Sequence, residues 1–194
     1  MLQFYKPNPK ITGSACSIYY SVSKGCFFLQ LLKQDGWNGK NGTFGKSRED
    51  VTKSVLTKLS TIEAAGILLC LEKDMPFKAY HQFPGARYAT AINLAPYSDA
   101  AGTAIGYSLS VSKKDKQDTA APSASFRIGL YFQEARLLRE YLSIGLREIL
   151  LYRPDEAKVA DTKAEAAAEA GASEPSGEAS PQDEAGVTNE SAVF

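Results

Sequence analysis

The sequence predicts an α+β fold: two antiparallel four-stranded sheets, each followed by a helix, and then a disordered tail. Three observations predict it. Short stretches alternate apolar and polar side chains with the period of two expected of half-buried strands. Two segments with broad apolar faces start alike, with Glu63-Ala64 and Glu134-Ala135, and each closes a run of strands. Charge and composition then change abruptly after Arg153. Strand runs closed by helices are the mark of an α+β layout, here four strands and a helix, twice over.

Taken in order, residues 1–13 contain Pro7, Pro9 and Gly13 and read as an irregular arm. Over residues 15–22, Cys16, Ile18, Tyr20 and Val22 alternate with Ser17, Tyr19 and Ser21, giving a strand. Gly25 makes the turn into a second strand, residues 26–34. There Phe27, Leu29 and Leu31 form one row, and Phe28, Gln30, Leu32 and Gln34 form the other. Residues 35–45 are studded with glycine around Trp37 and Phe44 and hold a short, distorted third strand; residues 55–59 form the fourth. Ser60-Thr61-Ile62-Glu63 is a capping box, in which the serine hydroxyl accepts from a free N–H and the glutamate reaches back. The helix it opens runs to about Lys73, is apolar on nearly every side and should therefore be buried. After Pro76, strands are expected at residues 77–83, 88–94, 105–112 and 125–130. A long helix follows over residues 132–152, with a polar stripe of Arg136, Arg139, Glu140, Ser143 and Arg147. Its other face, with Leu138, Leu142, Leu146 and Ile149, is wide and apolar.

The 194 residues carry 22 Lys+Arg and 22 Asp+Glu, a formal charge of zero. The zero is a cancellation. Residues 1–153 hold 20 basic and 12 acidic side chains, a balance of +8, and residues 154–194 hold 2 and 10, a balance of −8. The tail is rich in Ala, Glu, Gly, Ser and Pro and cannot bury enough apolar surface to offset chain entropy, so it reads as disordered. Proline disfavours helical geometry in the preceding residue, which places the boundary at Arg153–Pro154. The composition excludes collagen-like, coiled-coil and disulfide-scaffold classes. No apolar run is long enough to span a bilayer, and no secretory leader or transit peptide is visible. A cytoplasmic protein of bacterial, phage or plasmid origin is expected.

Several motifs carry less than they suggest. Cys16, Cys26 and Cys70 are widely spaced and odd in number, as expected of reduced core thiols. With His81 they offer four zinc ligands but none of the close pairs of a structural site. Gly39 to Ser47 ends in Gly-Lys-Ser, yet the glycine a phosphate-binding loop needs five positions before Gly45 is Lys40. His81 sits in a strand among aromatics without a partner pattern for nucleophilic or acid–base chemistry. No cofactor, metal or catalytic group is expected.

The informative pattern lies on the strand rows opposite the core. Tyr19, Phe28, Gln30, Lys78, Tyr80, Arg87, Ser108, Lys113 and Arg127 fall there, with Lys58 nearby and Trp37 and Lys40 on an adjoining loop. Aromatic rings give stacking platforms for unpaired bases, lysine and arginine neutralise phosphates, and hydroxyls and amides add sequence-tolerant hydrogen bonds. With the +8 body, they mark single-stranded nucleic acid as the leading partner. The acidic tail closes in Ser-Ala-Val-Phe, and Phe194 beside the free carboxylate is a candidate docking anchor. This ending resembles the tail of bacterial single-stranded-DNA-binding proteins, without their terminal Pro-Phe and dense Asp run.

Residues 10–152 also resemble the Whirly group of single-stranded nucleic-acid binders, which includes the plant Whirly and kinetoplastid guide-RNA-binding proteins. Lys24-Gly25-Cys26-Phe27-Phe28-Leu29-Gln30-Leu31 is similar to the group's glycine-led second strand with its outward glutamine. Trp37 with Lys40, and Lys58-Leu59-Ser60-Thr61-Ile62-Glu63, resemble its tryptophan, lysine and leucine-serine entry to the first helix. Ala79-Tyr80-His81 sits where the group has two aromatics and a histidine, and Gly106-Tyr107-Ser108-Leu109-Ser110-Val111 resembles its seventh strand. Two departures stand out: some ten extra residues, 41–52, and a first-strand lysine motif echoed only loosely by Lys10, Gly13 and Ser14. The resemblance implies sheets packed crosswise, helices at the base and a tetramer holding single strands at its sheet edges.

The expected function is sequence-independent single-stranded DNA binding in replication, recombination or repair, with the tail recruiting partner proteins. An RNA-binding or annealing factor on the same fold and a protein-interaction scaffold are the alternatives.

Overall fold

The structure, a computed structural model, describes residues 1–118 and 123–153. The tail proposed from sequence, with Phe194, lies outside the described residues. A compact unit spans Met1–Tyr152. Its first sheet contains β1 (Leu2–Lys6), β2 (Ser14–Ser21), β3 (Cys26–Lys33) and β6 (Ser54–Leu59), hydrogen-bonded in that order. The loop from β3 to β6 carries a two-stranded hairpin, β4 (Gly36–Trp37) and β5 (Gly42–Thr43), and one 3₁₀ turn, Lys46–Arg48. Helix α1 (Thr61–Lys73) follows. The second sheet runs β10 (Ala124–Tyr131), β9 (Ala104–Asp115), β8 (Tyr88–Ser98), β7 (Phe77–His81), and α2 (Phe132–Leu151) closes the unit.

Two expectations for the first half need correction. The N-terminal arm is a strand through Lys6: Phe4 is 5% exposed opposite Cys16, and Leu2 pairs with Ile18. The prolines that suggested irregularity begin only at Pro7, after the strand has ended. The distorted third strand near Trp37 is not in the sheet, because β4 and β5 pair only with each other. The count of four before each helix stands, with β1 as the missing member.

In the second half, β8 continues four residues past the expected end, through Pro96. A proline breaks a strand flanked on both sides, but β7 pairs with β8 only up to Leu94, so nothing is lost there. Both sheets turn one row inward. Phe27, Leu29, Leu31 and Leu59 meet Ile92, Leu94, Val111, Ile128 and Leu130 in a shared core, with Leu138 and Leu142 of α2. The three cysteines are buried and unbridged, and burial pushes the Cys16 thiol up to about 12.

The helices differ from expectation in one respect. Only Ala64, Ile67 and Cys70 of α1 are buried, while Ile62 and Leu69 are exposed. Apolarity on every side did not mean burial on every side. Helix α2 buries Ala135, Leu138, Leu142 and Gly145, and leaves Leu137, Ile144 and Leu151 as a second, uncovered apolar row. At Gly145 this helix packs close against the first sheet: a Cβ there would lie 2.6 Å from Phe27 Cε1 and 2.7 Å from Tyr20 Cδ1. Gly145→Ala is expected to force those rings aside and cost about 1–3 kcal/mol, read as a lower urea midpoint at unchanged slope.

Candidate nucleic-acid interface

The register fixes which side chains share the outward face of the first sheet. Tyr19, Phe28 and Lys58 form one cross-strand row; Gln3, Ser17, Gln30 and Leu56 form the next; Tyr5, Ala15, Leu32 and Ser54 the third. Tyr19 and Phe28 stack at 4.9 Å between centroids and 17° between planes, and Lys24 Nζ lies 5.8 Å from the Phe28 ring. Such directly opposed rings stabilise the pairing of their strands and form one stacked aromatic pair.

The outward face of the second sheet is unlike it. Lys78, Asn93, Ser110 and Arg127 make one row, Tyr80, Ala91, Ser112 and Ser125 the next, and Ala95, Ser108 and Gly129 a third. The middle of this face is a low floor of small and hydroxyl-bearing side chains, with Lys78 and Tyr80 along one edge strand and Arg127 along the other. Tyr80 is 64% exposed. Asn93 Oδ1 is buried and has no partner among the described residues. Lys58, Lys78 and Arg127 form no ion pair among the described residues, so their charge faces solvent.

The two faces lie on either side of the shared core and meet at the β6 and β7 edges. Here Lys58, His81, Phe83, Arg87, Tyr88 and Lys113 line a cleft of about 370 Å³. His81 holds the seam closed: Nε2 lies 2.6 Å from Glu63 Oε1 and Nδ1 lies 3.1 Å from Thr57 Oγ1. The expected half-buried strand histidine thus has partners that spacing did not reveal, on β6 and at the start of α1. Glu63 also performs its capping role, accepting the Ser60 N–H at 2.8 Å. Among the described residues, no group of three or more His, Cys, Asp or Glu side chains is placed to hold a metal ion.

Of the residues singled out by sequence, the structure gathers Tyr19, Phe28, Gln30 and Lys58 on one face and Lys78, Tyr80, Ser108 and Arg127 on the other. Trp37 and Lys40 sit apart on the β4–β5 hairpin, Lys40 at its exposed tip. Arg87 lies in the cleft, but its Nε donates to Asp115 Oδ2 at 2.7 Å, which spends much of its charge. Lys113 is a correction. It pairs with Thr90 and Ala124 on the inward row that continues Val111, not on the serine row. Its ammonium donates to the Val51 carbonyl at 2.5 Å and the Ser54 carbonyl at 3.2 Å, and burial lowers its pKa. Grouping it with Ser108 and Ser110 ignored its odd parity. Phe83 and Tyr88, which complete the cleft, were missed; the Pro84-Gly85 turn between them signalled a place where two strand ends come together.

No protein-family model and no curated protein sequence matches the chain. Solved structures do. WHY3 from Arabidopsis thaliana superposes with a TM-score of 0.56 at 16% identity, covering 85% of this chain and 95% of that one. WHY1 from the same plant gives 0.55 at 15%, covering 85% and 91%. MRP1/MRP2 of Trypanosoma brucei gives 0.50 at 15%, covering 75% and 82%. The chain has the Whirly fold. At these identities the likeness is one of fold, which is the doubled sheet-and-helix unit described above.

Burial opposes ionisation of Glu63, but hydrogen bonds from the Ser60 N–H, His81 and the Ser60 hydroxyl outweigh it and hold the carboxyl below its ordinary value. A group depressed in the folded state contributes stability above its unfolded pKa and loses it as pH falls through the folded one. Glu63→Gln keeps an acceptor for the Ser60 N–H but removes the carboxylate that faces His81, and is expected to cost about 1 kcal/mol or less at neutral pH. Urea titrations of both proteins should show that difference shrinking below about pH 4.

Proposed function

We propose that this chain binds single-stranded nucleic acid, chiefly DNA and without sequence selection, across the outward faces of its sheets and the cleft joining them. The observation that carries the reading is the stacked Tyr19–Phe28 pair in one cross-strand row with Lys58, which forms no ion pair among the described residues. A base has a π-face to stack whatever its identity, and each lysine or arginine on a phosphate releases counterions. The +8 balance of residues 1–153 and the fold shared with the Whirly group support it.

The same reading makes the protein a non-catalytic factor of replication, recombination or repair in a bacterial, phage or plasmid setting. It self-associates, as a tetramer, through the uncovered row Leu137, Ile144 and Leu151 of α2. Its acidic segment, residues 154–194, recruits partner proteins and competes with phosphate for the basic body.

Affinity for labelled oligo-dT measured over a salt series tests the core of this. It should fall steeply as salt rises, and Lys58→Ala or Arg127→Ala should reduce the log–log slope by about 1. No binding at low salt, or a flat salt dependence, removes the reading. Competition with RNA of equal length decides which polymer is preferred. Deleting residues 154–194 should leave affinity for oligo-dT unchanged or raise it, and a large loss would contradict a competing tail.

A further inference from the structure

The segment that departs from the group's pattern is tied tightly to the rest of the molecule. Gln34, 3% exposed, accepts the Asn8 N–H at 2.9 Å and donates to the Gly36 carbonyl at 2.7 Å, joining the chain after β1 to the β4–β5 hairpin. Gly42 packs into the same knot: a Cβ there would lie 2.5 Å from Pro7 Cβ and 2.8 Å from Gln34 Nε2. Asp35 accepts the Thr43 hydroxyl and, at 3.0 Å, the Ser47 N–H, and these bonds hold its carboxyl below the ordinary range. The Gly-Lys-Ser sequence that imitates a phosphate-binding loop therefore serves another purpose. It folds the hairpin and the 3₁₀ turn back over the first sheet.

What this places over the sheet is a cleft of about 380 Å³, open to solvent, between the outward face of β1–β2 and residues 42–48. Tyr5 and Phe44 meet edge to face across it, at 5.9 Å and 65°. Gln3 and Ser17 lie on its floor and Arg48 at its rim. The Tyr5 hydroxyl donates to Gln3 Oε1 at 3.1 Å, and the Gln3 NH₂ group donates one N–H to Met1 Sδ at 3.7 Å and keeps the other for a ligand. Arg48 is exposed and makes no ion pair among the described residues. Gln3 and Ser17 share their cross-strand row with Gln30, so the cleft continues the face that carries Tyr19 and Phe28. Four residues of strand, about 13 Å, separate Tyr19 from the level of Tyr5.

We propose that this cleft is a nucleobase pocket, in which one unstacked base of a bound single strand inserts against Tyr5 and Phe44 while Gln3 and Arg48 address its polar edge. The inference rests on the single-strand reading above and adds to it a defined subsite made by the inserted loop. A planar ring with donors and acceptors on its rim matches two aromatic walls, an oriented amide and a planar guanidinium. A phosphate would leave both aromatic walls without a partner, and an aliphatic chain would leave the guanidinium without one.

The test compares the full chain and its variants on two probes of equal length, oligo-dT and an abasic deoxyribose-phosphate oligomer. Phe44→Ala is expected to weaken oligo-dT binding roughly five- to hundredfold while leaving the abasic probe unchanged, and Phe44→Trp should restore oligo-dT binding. Arg48→Lys alters an exposed side chain and keeps the charge. It should also weaken oligo-dT selectively, because the planar fork is lost. If the wild type binds oligo-dT but the variants lose both probes equally, or neither, the pocket is overturned and single-strand binding stands. If the wild type binds neither probe at low salt, the functional reading fails and the pocket with it.

Discussion

Each helix of this molecule begins with a glutamate that is used twice, and the rest of the arrangement depends on that double use. Glu63 and Glu134 each accept the N–H of their own helix cap, at 2.8 Å from Ser60 and from Tyr131. Each then reaches into the opposite half of the chain: Glu63 to His81 in β7, and Glu134 to Lys6 in β1 at 2.5 and 2.6 Å. The helix ending one half is thus tied to the strand beginning the other, reciprocally. Partly buried ties of this kind, short of full burial, are worth on the order of 1 kcal/mol, against roughly 1.5–3 kcal/mol for each fully buried Leu, Ile or Phe in the core. The core supplies the stability, and the glutamates set where each helix starts against the sheet it crosses.

That placement decides which surfaces remain open. Helices and core consume the inward rows, so what the sheets offer a partner is their outward rows and the β6–β7 seam. The two halves repeat in layout but not in surface chemistry. The first sheet shows rings and Leu56, while the second shows serine, alanine and glycine between Lys78 and Arg127. Under the proposed binding, a nucleic-acid strand lying on both would stack on one and slide its sugar-phosphate chain over the other, turning at the cleft that contains Lys58.

Much of this was legible in residue order. Alternation placed β2, β3, β6 and the second sheet, and the capping box at Ser60 located α1 to the residue. Features that needed long-range partners were not legible. The strand β1 is five residues followed by proline, and only its pairing with β2 makes it one. Lys113 follows the alternation faithfully, but lysine on an inward row is credible only once the Val51 and Ser54 carbonyls are seen to receive it. The loop over residues 41–48 showed its glycines and its phosphate-loop mimicry, whereas Gln34 and Asp35, which organise it, looked like ordinary strand-end polar residues.

The overhang of β8 beyond β7 has a consequence for how copies of the chain behave at high concentration. Residues 95–98 form a strand edge without a β7 neighbour, and bare edges invite pairing with the edges of other molecules. Pro96 sits in that stretch with no N–H to offer, and a register irregularity at Tyr97–Ser98 bends the strand just beyond it. A proline that looks out of place in a strand thereby acts as a guard against edge-to-edge aggregation.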